Sequence, residues 1–175
     1  MTQIGIAQVD ITPVESVWMV GYGNRDHRSE GVYQALRVGA VAIKSDSEEA
    51  VLIAADLIGY GLAYAAEAKA HIADATGLLP RQIILTATHT HCAPFFYPWI
   101  MPGEIEPAYA AFLHDKLLEV VVRARANQVA GCVSFARTTS DFGVNRRLPD
   151  DKGGVLFAPN PDGAMDRDLD TLFFT

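Results

Sequence analysis

Ile83-Ile84-Leu85-Thr86-Ala87-Thr88-His89-Thr90-His91-Cys92-Ala93-Pro94 is the stretch on which the reading of this chain turns. It opens as an apolar run of strand length, of the kind that lies buried in a sheet, and closes on two histidines separated by one threonine. In an extended chain, residues i and i+2 point to the same face. The spacing therefore predicts two imidazoles side by side, at the carboxyl end of a strand. Open α/β sheets gather their ligands beyond the carboxyl ends of strands. Imidazole is a common zinc ligand, and a catalytic zinc is usually held by three protein ligands and a water. Thr88 and Thr90 are of a type that orients such rings by hydrogen bonding. The plainer alternative is two surface histidines at a strand end.

Outward from that stretch the chain alternates strands and helices. The Ala-rich run 62–76 favours helix, and Gly77 suits its stop. Before it, Val51–Ile58 reads as a strand, so strand, helix and strand follow one another as a βαβ crossover with parallel pairing. Residues 35–44 and 3–11 read as earlier strands, the second ended by Thr12-Pro13. Downstream, Pro107 suits a first helical position. Tyr109, Phe112, Leu113, Leu117, Val120, Val121 and Ala124 recur at helical spacing, predicting a buried stripe on a helix over 107–126. Residues 131–138 and 169–174 read as strands, and 141–166 as loop with a short apolar patch at 155–157. The expected fold class is α/β, with a mixed, largely parallel sheet, a βαβ crossover and flanking helices. The apolar end Leu172-Phe173-Phe174-Thr175 adds the expectation of an incomplete domain, a portion of something longer.

Composition narrows the function classes. The 175 residues are half hydrophobic and one-fifth charged, as in an ordinary globular domain. A net charge of −7 with no basic cluster argues against nucleic acid as partner. No apolar run has the length of a transmembrane segment, and no leader is recognisable. The default location is therefore cytoplasmic, or secreted if a leader has been removed. Cys92 and Cys132 are too few for a disulfide scaffold.

Several other residues have both a chemical and a plain reading. Asp56 ends a neighbouring strand and could orient His89 or His91, or could be a turn aspartate. Asp10 precedes Thr-Pro and is expected to make a local turn hydrogen bond. His71 and His114 fall on helices and read as surface or core residues, while His27 sits in a charged loop and could approach a site. Cys92 could act as a nucleophile, although strand alternation sends it away from His91. Phe95-Phe96-Tyr97-Pro98-Trp99-Ile100-Met101-Pro102 could wall an acyl chain, bind a partner, or pack under the helix that follows.

Ala87-Thr88-His89-Thr90-His91, followed by a small residue and Pro94, resembles the zinc motif of the neutral/alkaline non-lysosomal ceramidases. Asp10-Ile11-Thr12-Pro13, Gly21-Tyr22-Gly23, Ala54-Ala55-Asp56-Leu57 and Val144-Asn145-Arg146 resemble further segments of that family, in the same order. The resemblance spans essentially all of 1–175 and implies the N-terminal portion of a zinc amidohydrolase domain. It implies that Zn2+ is the cofactor, His89 a metal ligand, His91 a catalytic group beside the metal, and Arg146 a substrate-binding residue, with Arg147 next in line. The implied reaction is hydrolysis of an N-acyl amide, a ceramide-like lipid or smaller amide, by a metal-activated water. The family completes its zinc sphere with a His, a Glu and a Tyr from much later in the chain. An oligomer or a further portion of chain must then close the site. Two other readings remain: a metal hydrolase of another class, closed by the HxH pair plus Asp56, and an inactive fragment or interaction module.

Overall fold

A computed structural model describes residues 1–46, 48–97 and 102–175. These fall into two compact units, Met1–Gly131 and Cys132–Thr175. The first holds β1 (Thr2–Asp10), β2 (Arg37–Ser45), β3 (Glu48–Ala55), α1 (Leu62–Thr76), β4 (Ile83–Ala87), α2 (Pro107–Ala126) and the short β5 (Val129–Ala130). Its sheet has the order β4-β3-β2-β1-β5. The mixed α/β architecture and the βαβ crossover through α1 agree with the sequence. Parallel pairing, however, is confined to β3 and β4; β1–β2, β2–β3 and β1–β5 are antiparallel. The reason is local. Ser45 pairs with Glu48, and Asp46 between them takes the left-handed conformation at φ 52°, so β2 and β3 form a tight hairpin with no crossover.

The helix ends follow the expected chemistry. Pro107 occupies the start of α2. Gly77 ends α1 at φ 73°, with its N–H donating to the Ala73 carbonyl, a conformation that costs glycine nothing. The α2 stripe Tyr109, Leu113, Leu117, Val120, Val121 and Ala124 is buried, as are Tyr64, Ala68 and Ile72 of α1. They pack on Val9, Val38, Ala40, Ala42, Val51, Ile53, Ala55 and Ile83 from alternate positions of the sheet. Burying each leucine of that stripe stabilises the unit by about 1.5–3 kcal/mol.

The opposite face is also apolar. Ile6, Val41, Leu52 and Ile84 stand in one cross-strand row, half-buried or exposed. Ile84 is 47% exposed, so β4 is a half-covered edge strand and not the buried run its composition predicts.

The second unit consists of two ribbons. β6 (Val133–Thr139) pairs antiparallel with β9 (Asp168–Phe174), and β7 (Asn145–Pro149) with β8 (Val155–Asn160). The β7–β8 hairpin occupies a region that reads as loop in the sequence. Its turn is held by the Asp150 carboxylate, which accepts from the Lys152 and Gly154 N–H groups.

Candidate functional site

β4 ends with Thr88 still tied to the sheet, its N–H donating to the Ala55 carbonyl at 3.0 Å. The next residue, His89, turns left-handed at φ 62°. A non-glycine residue in that region stores roughly 1–3 kcal/mol of backbone strain, held by the contacts around it. Strand alternation therefore stops before the histidines. The two rings nevertheless meet, at 5.3 Å between centroids and 71° between planes. The rings are side by side as expected, but a sharp turn at His89, not strand alternation, brings them together. Nor does alternation send Cys92 away from His91; Cys92 is exposed, and its N–H donates to the Thr90 hydroxyl.

His89 Nδ1 lies 2.7 Å from the Ile58 carbonyl oxygen. A carbonyl only accepts, so Nδ1 carries the proton and donates it. The neutral ring is then left with a lone pair on Nε2. This is the arrangement of a metal-ligating histidine, in which a hydrogen bond on one nitrogen fixes the tautomer and raises the basicity of the other. The donor chemistry at His89 thus fits a zinc ion.

His91 is enclosed differently. The Tyr22 ring meets its edge at 5.2 Å. Gly21, at φ 110°, lies so close that a Cβ there would come within 2.2 Å of the His91 Cγ. Arg25 Nη1 donates to the His91 carbonyl at 2.9 Å and to the Val20 carbonyl at 3.1 Å. The Gly21-Tyr22-Gly23 turn therefore cradles an imidazole, and Arg25, which the sequence reading passed over, joins the two loops.

The remaining expectations separate. Asp10 makes its local bond, accepting from the Thr12 N–H at 2.8 Å; the Thr12 side chain first, and this N–H second, lower its pKa. Asp56 does not serve the histidines: its Oδ2 accepts from the Arg37 N–H at 2.9 Å, fastening the start of β2. His27 is exposed and occupied by Asp26 at 2.8 Å and Glu30 at 3.8 Å; the Asp26 hydrogen bond raises its pKa. His71 and His114 pair across α1 and α2, with centroids 6.1 Å apart. Phe95 and Phe96 are buried, and Phe96 stacks on Tyr64 at 4.4 Å, which is the packing reading. Pro98–Met101 of that loop lie outside the described residues.

Arg146 belongs to the second unit, where its guanidinium lies over the Phe157 ring at 5.1 Å. Asn145 shapes that ribbon, accepting from the Arg147 N–H and donating to the Ala164 carbonyl. Among the described residues no carboxylate pairs with Arg146, and no group of three His, Cys, Asp or Glu side chains gathers where it could hold a metal ion. The closed site of HxH plus Asp56 is therefore not formed by these residues. No helix among them is long and apolar enough to cross a membrane.

Comparison with known proteins gives one direction. The chain is 30% identical over 148 residues to the neutral ceramidase of Mycobacterium tuberculosis (strain ATCC 25618 / H37Rv), a match covering 78% of this chain and 23% of that protein. The fold matches a ceramidase complexed with C2, with a TM-score of 0.76 at 20% identity, over 99% of this chain and 28% of the other. It matches the crystal structure of neutral ceramidase from Pseudomonas aeruginosa with a TM-score of 0.77 at 20% identity, over 99% of this chain and 29% of the other. The chain thus spans between 23% and 29% of the length of these relatives. No sequence-family profile matches it.

Proposed function

We propose that this chain, which belongs to the neutral ceramidase family, supplies part of a zinc site for hydrolysing the N-acyl bond of a ceramide-like lipid. The observation that carries the proposal is the 2.7 Å contact from His89 Nδ1 to the Ile58 carbonyl, which directs the other ring nitrogen, Nε2, to a ligand at the end of the sheet. His89 would hold the ion through that nitrogen. The metal, when bound, would supply a more acidic water and a polarised amide carbonyl. His91, its ring 5.3 Å away, would carry a proton to the leaving amine or donate to a developing oxyanion. Arg146, its charge unpaired by any described carboxylate, would bind oxygen atoms of the substrate; Arg147 stands beside it.

The remaining zinc ligands come, in this reading, from polypeptide beyond the part of the relatives that this chain spans. Residues 1–175 then form one portion of a larger amidohydrolase domain. The position of β4 at the sheet edge, with His89 exposed, supports a site that is finished by other residues.

The test is a zinc titration of the chain, followed by its histidine ring resonances. Zn2+ should shift the His89 Nε2 signal and leave His71 and His114 unmoved, and His89→Ala should abolish the response. In a polypeptide carrying this chain together with the rest of the relatives' length, fatty-acid release from a short-chain ceramide should need zinc and vanish in His89→Ala. Release that persists in that variant would sink the proposal.

A further inference from the structure

We infer that Arg25 is a positioning residue for His91, a latch joining the Gly21-Tyr22-Gly23 turn to the histidine loop. The inference rests on the role proposed above for His91 and deepens it. Its geometry stands independently of the metal.

One nitrogen of Arg25, Nη1, bridges two carbonyls. It donates to Val20 at 3.1 Å and to His91 at 2.9 Å, a residue 66 positions away in sequence. The plane of the same guanidinium lies over the Tyr22 ring at 5.2 Å. Tyr22 in turn presents a T-shaped contact to the His91 ring at 5.2 Å. The turn itself is closed by the Arg25 N–H donating to the Tyr22 carbonyl at 3.2 Å. A single half-buried side chain thus holds the His91 backbone, the neighbouring backbone at Val20, and the aromatic ring that packs on the imidazole.

The close approach of Gly21 to the His91 ring explains why the latch is needed. Gly21 lets the backbone lie directly against the His91 ring, closer than any Cβ would allow. Bare backbone offers the ring a surface but no grip. The imidazole is fixed only if the turn stays where it is, and the turn crosses to the histidine loop through Arg25. A charge-assisted bond is roughly twice as strong as a neutral one, and arginine delivers it from a planar head that also stacks on an aromatic face. A histidine that must hand over a proton at one atom loses rate steeply when displaced by an ångström.

The test compares Arg25→Met with Arg25→Lys. In the chain itself, Arg25→Met should move or broaden the His91 ring resonances, because the Tyr22 ring leaves its edge. Arg25→Lys keeps one donor nitrogen for the two carbonyls and should restore most of the pattern. In the longer polypeptide, Arg25→Met should lower kcat by about 10- to 100-fold with KM nearly unchanged, and Arg25→Lys should recover most of the loss. Unmoved His91 resonances in Arg25→Met would overturn the latch. An equal fall in both variants would also overturn it, since that marks packing and not the bridging bond. Should Arg25→Met not fold, Arg25→Lys against Arg25→Gln makes the same comparison, because glutamine is too short to span both carbonyls. The two readings fail separately. Fatty-acid release that persists in His89→Ala of the longer polypeptide removes the metal proposal, while the His91 resonances still judge Arg25.

Discussion

Two pairs of histidines lie in the first unit, and their ring separations are close: 5.3 Å for His89 and His91, 6.1 Å for His71 and His114. Their chemistry differs because of what the nitrogens meet. His89 gives its Nδ1 proton to a carbonyl and leaves its other nitrogen open, at an exposed turn. His114 sits between helices, stacked on Tyr64 at 4.3 Å, with Nε2 buried and without a partner. Burial lowers the His114 pKa, and a nearby His71 charge lowers it further. Proximity of two imidazoles is therefore a poor sign of a site. The informative feature is a hydrogen bond on the remote nitrogen combined with access to the near one.

That contrast can be broken most sharply at His91. His91→Gln should cut kcat of the longer polypeptide by about 10²–10⁴-fold while zinc retention survives, because general acid–base groups contribute that much. Loss of zinc together with activity would make His91 a ligand as well and redraw the pair. A smaller effect is expected at Gly21→Ala. The added methyl meets the His91 ring, and the φ of 110° disfavours any side chain. Urea unfolding should register a loss of about 1–3 kcal/mol, and an alanine accepted at no cost would show that the ring does not rest on this backbone. The smallest effect belongs to the other pair. The His114 pKa is lower folded than unfolded, so the unfolded chain takes up the proton first. The stability that depends on a neutral His114 is complete above the ordinary value of 6.5 and is lost as pH falls below it, through the folded pKa. His114→Phe should flatten that acid limb in denaturation curves below pH 6.5.

The parts legible in the sequence are those written in local chemistry. Both helices carry their own stop or start, Gly77 and Pro107, and their spans 62–76 and 107–126 needed no tertiary information. The HxH motif likewise announced itself. What escaped was set by distant partners. Nothing near Arg25 says that its guanidinium reaches a carbonyl 66 residues away, and nothing near Asp56 says that it serves the Arg37 backbone. The β7–β8 ribbon was missed because its strands are largely exposed, which erases the alternation that marks a half-buried strand. A weaker signal was present: Asp150-Asp151-Lys152-Gly153-Gly154 is a turn-forming cluster between Leu148-Pro149 and the apolar patch 155–157. The antiparallel pairing of β2 with β3 follows from a hairpin whose tightness only the pairing of Ser45 with Glu48 reveals.

The row Ile6, Val41, Leu52 and Ile84 bears on how the chain would behave in a test tube. It runs across the face of the sheet opposite the helices and reaches the unpaired rim of β4. Greasy side chains beside open backbone donors and acceptors are what strands use to recruit more strands. A preparation of these residues by themselves would face self-association as its chief practical hazard, growing with protein concentration and with salts that strengthen apolar contact. Lysine substitutions at Ile84 or Ile6 are the natural remedy, since both side chains stand exposed on that face.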